Sequence, residues 1–518
     1  MENVMGAKTG IFIVALVLMA QFVSASGIVI EEIKQNGMTS LMSVDSGDFI
    51  VAGGISNGTG LGDFDAVVYR FNSSGSLVWA KAYGSQGRDL LTTVKVINGN
   101  RILAAGGSSY FGGGWIFELD GDGNVLWSRS YNTEIITSVI PYGDGFLAAS
   151  SKLGHGIILK LSSNGSPLSG YMFDFNYSVV PVKLEALPDG SIFVAGMIHS
   201  PATNSQDMWL AEISNNGTVI WQRSFGGNGT EQLYDMEVDG KGITLVGYTT
   251  SPSLGVKNNV DLLVIRTDLQ GNLLWAKRVG SPQNDWANAV TLLPTGELLV
   301  GGITYAIPSL SAQAWLLVLD SAGNVERWIT FGGKGSDWIR GMVTLPDGRV
   351  ILVGGTNGKT NGLGQLLSSN PLFIMLNGTT FHFEGCNLNV KRPLFTVSSV
   401  SPVVWTGPAG PLMKVRIASA PVEPEVKALS PSVSVLCPQR SSSSPITSPT
   451  THTPTTPSTT SSLKPSEGTQ SSTSNSASPS SSKGVSSSGH EGSHGICGPA
   501  FLLLPTLIAA MLMAKKGK

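Results

Sequence analysis

The sequence predicts an all-β protein: a seven-bladed β-propeller followed by a disordered Ser/Thr/Pro stalk and one C-terminal transmembrane helix. Three observations carry that prediction. A phrase of roughly fifty residues recurs along most of the chain, the period of a blade-type repeat. Glycine is abundant, at 64 of 518 residues, and charge is sparse at 13%, which suits short strands joined by tight turns. A long Ser/Thr/Pro tract then separates the repeats from a terminal apolar run. The boundaries fall at 1–25 for an export signal, 26–380 for the repeats, 381–440 for an extension, 441–494 for the stalk and 495–518 for the membrane segment.

The repeated phrase is clearest from Trp315-Leu316-Leu317-Val318-Leu319-Asp320 through Gly323-Asn324, Trp328, Gly332-Gly333, Asp337 and Pro346-Asp347-Gly348 to Gly354-Gly355. Looser copies place Trp79, Trp127, Trp221 and Trp275 on the corresponding strand. Within the copy at Asp89, four strands are predicted over Leu90–Ile97, Arg101–Ala105, Trp115–Leu119 and Val125–Ser130, each bounded by Gly, Asn or Asp. One such sheet cannot bury both its faces, so neighbouring sheets must stack, and radial stacking makes a propeller. Seven copies begin near Met38, Asp89, Ile135, Val182, Glu231, Asp285 and Asp337, with six or eight blades as the alternatives. The third and fourth are degraded: Ala148-Ala149-Ser150-Ser151 replaces Gly-Gly, and Tyr171 stands where Trp is expected. Ile28–Lys34 and Phe381–Val390 read as spare outer strands, one of which closes the ring.

Both ends carry membrane signals. Lys8, the apolar run Ile11–Ala20 and the small residues Val23-Ser24-Ala25 predict a cleaved export peptide, with the mature chain starting near Ser26. Ile496–Ala514 is uncharged and is followed by Lys515, Lys516 and Lys518. At about 1.5 Å per residue it spans a ~30 Å hydrocarbon core, and the lysines hold its end on the cytoplasmic side. The propeller is therefore expected outside the cell, anchored to the cytoplasmic membrane. Between them, Ser441–Ser493 has almost nothing to bury and reads as an extended, O-glycosylated stalk. A net charge of −2 gives no basic face, so no nucleic-acid role is expected.

Cys386 and Cys437 bracket the extension, and in an exported chain they read as a disulfide. Seven Asn-x-Ser/Thr sequons, at Asn57, Asn72, Asn164, Asn176, Asn216, Asn228 and Asn377, are glycosylation candidates, several of them on Asn-Gly turns. The third cysteine opens Cys497-Gly498-Pro499, ahead of the apolar span and terminal lysines. That arrangement resembles the Cys-Gly-Pro sorting signal of archaeal surface proteins and covers about the last 25 residues. The resemblance implies an archaeal cell-surface protein with Cys497 as the site of processing or lipid attachment. The repeats resemble kelch-type blades in their Gly-Gly endings. Their Leu-Asp-x-x-Gly-x-x-x-Trp stretch resembles the quinone-enzyme propeller repeat. Neither signature is met in full, and both imply a fold rather than an activity.

No catalytic set assembles from the sequence. Gly54-Ile55-Ser56-Asn57-Gly58 matches a nucleophile elbow, but it occupies a repeated strand end with no helical run after it. His155, His199 and His382 fall in different repeat contexts, with no metal-ligand spacing. Asp120-Gly121-Asp122-Gly123-Asn124 lacks the downstream Glu of a calcium loop. Asp89, Asp285 and Asp337, with Glu231 as a fourth, open the inner strands. They either ring one mouth of the channel as ligand contacts or bond the backbone of their own loops. Trp286 and Trp338 follow two of these acids and are candidates for stacking on a ligand. The expected role is a surface binding or cell-envelope module without a cofactor, its partner a cell-surface glycan, peptide or protein. The alternative is an exported enzyme, a quinone-dependent dehydrogenase or a polysaccharide-processing propeller.

Overall fold

The computed structural model describes residues 26–435 apart from 31–37, 46–47, 57–60, 98–99, 308–310, 333–334, 361–365, 379–388, 392–394 and 430–432. The predicted export peptide, stalk, membrane run and three cysteines therefore lie outside the described residues. No helix among those described is long and apolar enough to cross a membrane.

Seven antiparallel sheets make the fold. Their inner strands are Met38–Asp45, Asp89–Ile97, Ser138–Tyr142, Val179–Ala186, Glu231–Asp239, Asp285–Leu292 and Ser336–Thr344, which define blades 1 to 7. Each inner strand touches the next, and the last touches the first, so the ring is closed. Closure depends on the N-terminus. Blade 7 has three strands of its own, and Ser26–Ile30 supplies the fourth, pairing Ser26 with Met375 and Val29 with Leu372. Of the two spare strands, this is the one that seals the ring. Large apolar side chains from facing sheets fill the seam between every pair of blades, including Phe49 with Phe373 and Phe173 with Trp209.

The turn between third and fourth strands repeats almost atom for atom. Asp120 Oδ1 accepts from the N–H groups of Asp122 and Asn124 at 2.9 and 2.8 Å, and Asp268 and Asp320 do the same in blades 5 and 6. The calcium-like stretch in blade 2 is thus an Asx turn whose carboxylate is taken up by its own backbone. Each turn ends on a left-handed glycine, and in blades 2 to 6 that glycine lies beneath an aromatic ring of the preceding blade: Gly123 under Trp79, Gly165 under Trp127, Gly217 under Tyr171, Gly271 under Trp221 and Gly323 under Trp275. Any Cβ there would strike the ring, so glycine is required twice over. Tyr171 serves here as well as a tryptophan, and in this respect blade 3 is complete.

Trp328 departs from the pattern. The strand position that carries Trp79 opposite Arg70, and Trp221 opposite Glu212, holds Arg327 opposite Val318 in blade 6. Trp328 comes one residue later, and successive strand residues point to opposite faces. The physical reason lies next door. Blade 7 takes its fourth strand from the N-terminus, so no turn joins its third strand to its fourth for a tryptophan to cover.

The extension after the last blade forms a belt. Asn389–Lys391 adds an outer strand to blade 6, Thr396–Ser399 to blade 5, Val403–Thr406 with Gly410–Pro411 to blade 4, and Met413–Val415 to blade 3. Ser419–Pro421 then pairs with blade 2, Glu425–Leu429 with blade 1, and Val433–Val435 with the N-terminal strand on blade 7. Along its length the belt sets an apolar residue against six successive seams: Phe395, Val400, Leu412, Ile417, Val422 and Leu429. Burying such side chains contributes roughly 1.5–3 kcal/mol each when complete. Among the described residues, only the seam between blades 6 and 7 receives none.

Candidate functional site in the axial channel

The recurring acids are structural staples. Asp89 Oδ2 accepts from Ser85 N and Oγ, both at 2.7 Å. Asp285 accepts from Ser281 N at 2.6 Å, Ser281 Oγ at 2.7 Å and Thr304 Oγ1. Asp337 accepts from Thr356 Oγ1. Glu231 accepts from Gly227 N at 2.7 Å and Thr249 Oγ1 at 2.6 Å. Each therefore binds the preceding loop, the end of the second strand, or both, and all four side chains are buried. Burial pushes Asp285 up to about 6, against the hydrogen bonds from Thr304 and Ser281. A second buried acid, Asp65, Asp207 or Asp261, approaches the closing glycine of the same fourth strand. A Cβ on Gly226 would lie 2.0 Å from Asp207 Oδ1 and 2.6 Å from Glu231 Oε2, which accounts for the glycine at that strand end. Asp89, Asp285 and Asp337 thus offer no face to a ligand. Trp286 and Trp338 are 3% and 2% exposed and pack with Ile303 and Ala312 in the core, Trp286 against Tyr305 at 6.0 Å. They sit behind the surface that the sequence pattern assigned to them.

The channel is built instead from residues where the copies differ. Six inner strands carry a β-bulge at a corresponding point, between Thr39 and Leu41, Leu91 and Thr93, Pro181 and Lys183, Leu233 and Asp235, Ala287 and Ala289, and Ile339 and Gly341. A bulge frees one residue from the ladder and re-aims its side chain. Asn288 Nδ2 consequently donates to Ile339 O of the next blade at 2.7 Å, and Thr92 Oγ1 donates to Ile136 O. The Arg340 guanidinium lies 5.2 Å from the Tyr234 ring, joining blade 7 to blade 5 across blade 6.

Further along the inner strands stand Lys95 from blade 2, Lys183 and Glu185 from blade 4, and Asp235 and Glu237 from blade 5. Lys183 Nζ is 2.8 Å from Asp235 Oδ1, while Asp235 Oδ2 accepts from Val290 N of blade 6 at 3.0 Å. Glu237 Oε1 accepts from Leu292 N at 3.1 Å. Two carboxylates therefore satisfy the free edge of the neighbouring inner strand, as buried N–H groups require. Burial pushes Glu237 up to about 7, with repulsion from Asp235, Glu185 and Asp239 opposed by the Leu292 N–H. Burial holds Lys95 below the usual ammonium range. Lys183 adds to that effect, and Glu185, Asp235 and Glu237 counter it. The Lys183–Asp235 pair ties blade 4 to blade 5, and Lys95, Glu185 and Glu237 stand on inner strands of the same ring. Charges of both signs, with Tyr234 and Arg340 beside them, suit recognition of a polar ligand carrying its own paired charges. Among the described residues no group of His, Cys, Asp and Glu is arranged to hold a metal ion. The sequence signal for this cluster was the run of charges on inner strands whose other positions are apolar.

Of the other predicted residues, Asn164, Asn176, Asn216 and Asn228 are exposed and Asn72 and Asn377 half-buried, while Asn57 lies outside the described residues. Ser56 ends the second strand of blade 1. His155 Nδ1 is 3.3 Å from Phe173 O, and His199 is exposed.

No protein-family model matches the chain, and no curated protein matches it in sequence. Solved structures similar to it include Sqt1 from Chaetomium thermophilum, at 12% identity over 63% of this chain and 82% of that one, with a TM-score of 0.38. A glucose dehydrogenase matches at 10% identity over 67% and 99%, with a TM-score of 0.31. The β-propeller domain of the Trilobed protease from Pyrococcus furiosus, described as having an open velcro topology, matches at 11% identity over 68% and 98%, with a TM-score of 0.39. The chain is a seven-bladed β-propeller by its own sheet topology, and these likenesses carry nothing about its site.

Proposed function

We propose that this protein is an exported, membrane-tethered surface module that binds a polar ligand, a cell-surface glycan, peptide or protein, at its axial channel. The observation that carries the reading is the set of mixed charges Lys95, Lys183, Glu185, Asp235 and Glu237 on the inner strands of three blades, joined across blades 4 and 5 by the Lys183–Asp235 ion pair. Export and tethering rest on the sequence of the two ends. The staples at Asp89, Asp285 and Asp337 make the frame rigid, and a rigid frame lets few charges discriminate among ligands.

The test uses the full-length chain in detergent, presented with soluble envelope polysaccharide and peptide fractions from the cells that produce it. Retention of one fraction by the wild type, lost in K183Q and E237Q, is the expected result. Retention unchanged in both variants, or turnover of any fraction, overturns the reading. Protease shaving of intact cells tests the location: a propeller that stays uncleaved until the cells are lysed is not displayed outside.

A further inference from the structure

We infer that the seam between blades 5 and 6, beneath the belt, is a second ligand site that takes a pyranose sugar and prefers its acidic forms. A cavity of about 360 Å³ opens there, lined by Lys277 and Val279 of blade 5, Asn324 and Trp328 of blade 6, and Phe395 and Ser399 of the belt. That is within the size range of small-molecule sites.

Comparison with the equivalent seams shows why it exists. Between blades 1 and 2, Lys81 Nζ donates to Asn124 Oδ1 at 3.0 Å, and between blades 2 and 3 Arg129 Nε donates to Asn164 O at 2.9 Å. In both, the cation of one blade closes onto the turn of the next. Lys277 holds the same strand position and its Cε lies over the turn glycine Gly323, but its Nζ donates to Ser399 Oγ of the belt at 3.0 Å rather than to Asn324. The displaced Trp328 then supplies an indole that no other blade has at this place. Phe395 is held opposite by the buried Trp315, at 4.9 Å between rings. Asn324 is pinned through its Nδ2 to Asp320 Oδ2 at 2.8 Å. Exposure of Asn324, Ser399 and Val397 keeps the cavity open to solvent.

The chemistry of this lining selects a ligand class. A pyranose ring offers one face of C–H groups and an edge of hydroxyls. The apolar face matches Trp328 and Phe395, and the edge matches Asn324, Ser399 and Lys277. The ammonium of Lys277 adds attraction for a carboxylate on the ring. This site is independent of the axial reading, because none of its lining residues lies on an inner strand.

The experiment is calorimetric titration of the full-length chain with methyl β-glucuronide and methyl β-glucoside. The wild type should bind the glucuronide about tenfold more tightly. W328A and the cavity-filling V397W should each weaken it at least tenfold, W328F should restore most of the affinity, and K277Q should remove the preference for the acid. K183Q, in the channel, should leave all of these values unchanged. Equal affinities for the two glycosides, absence of binding by the wild type, or binding unmoved by W328A and V397W each overturn the proposal.

Discussion

The indole of Trp221 lies so close over Gly271 that a Cβ added to the glycine would sit 2.4 Å from the ring. The contact joins blade 4 to blade 5 and recurs with other residues around most of the ring. It links a feature of one repeat, the outer-strand aromatic, to a feature of the following repeat, the turn glycine. Neither residue is explained within its own blade.

Substitution should separate the two demands on that glycine. Gly296 also has a positive φ, of 86°, but nothing lies within 4 Å of its Cβ position. G296A should cost about 1–2 kcal/mol, the strain of the left-handed backbone alone. G271A should cost at least about 1 kcal/mol more, because the ring must move. Thermal unfolding of both variants gives the comparison, and equal losses would mean that the aromatic contact contributes nothing.

The channel predicts a pH dependence of known sign. An unfolded glutamate ionises near pH 4.3, whereas Glu237 in the folded chain does so near 7. Between those values the folded state holds the extra proton, so this residue makes stability fall as pH rises from about 4.5 to about 7, with no further loss above. Lys95, Glu185, Asp235 and Asp239 all act on it. E237Q mimics the protonated form and keeps an acceptor for Leu292 N. It should match the wild type at pH 4.5 and exceed it at pH 8 by at most about 3 kcal/mol. A difference between the two proteins that does not change with pH would refute the assignment.

Leu412 of the belt is buried in the seam between blades 3 and 4, while its neighbour Met413 is 44% exposed. L412A should lower stability by about 2 kcal/mol, and M413A by no more than about 0.5 kcal/mol. Denaturant titration of the two variants shows whether the belt clamps the ring or merely rests on it.

Cys386 and Cys437 lie outside the described residues, but the belt strands nearest them in sequence, Asn389–Lys391 and Val433–Val435, belong to adjacent blades. Those blades share the one seam without a described belt side chain. A disulfide between the two cysteines is expected to close the belt, and its reduction to lower stability by ~3–4 kcal/mol. Non-reducing peptide mapping that recovers both thiols free would remove this prediction.

The blades were legible in the sequence because each strand is long enough to show an apolar run bounded by turn residues. The belt was not. Its strands are two to five residues long, alternate with segments of no regular pairing, and owe their extended form to the blade edges they cover. The acids and tryptophans of the mouth were legible as repeated, and repetition marked them as parts of a blade. The shift of Trp328 could have been counted: it falls five residues after Gly323, where Trp275 falls four after Gly271. The channel charges required knowing which strands face the axis, which only the ring supplies.

The belt visits the blades in the order 6, 5, 4, 3, 2, 1 and 7, against the order in which the chain builds them. Its last strand, Val433–Val435, docks on the first, Ser26–Ile30, across some four hundred residues of chain. Assembly is thus governed by its end. A nascent chain can stack its blades one by one, but the earliest blades wait longest for their outer edge. Until residue 435 has emerged, every intermediate carries unpaired strand edges that invite association with other chains. Completion of the belt therefore requires the chain through residue 435, and a translation product stopped inside the belt would be marked by its open edges as incomplete.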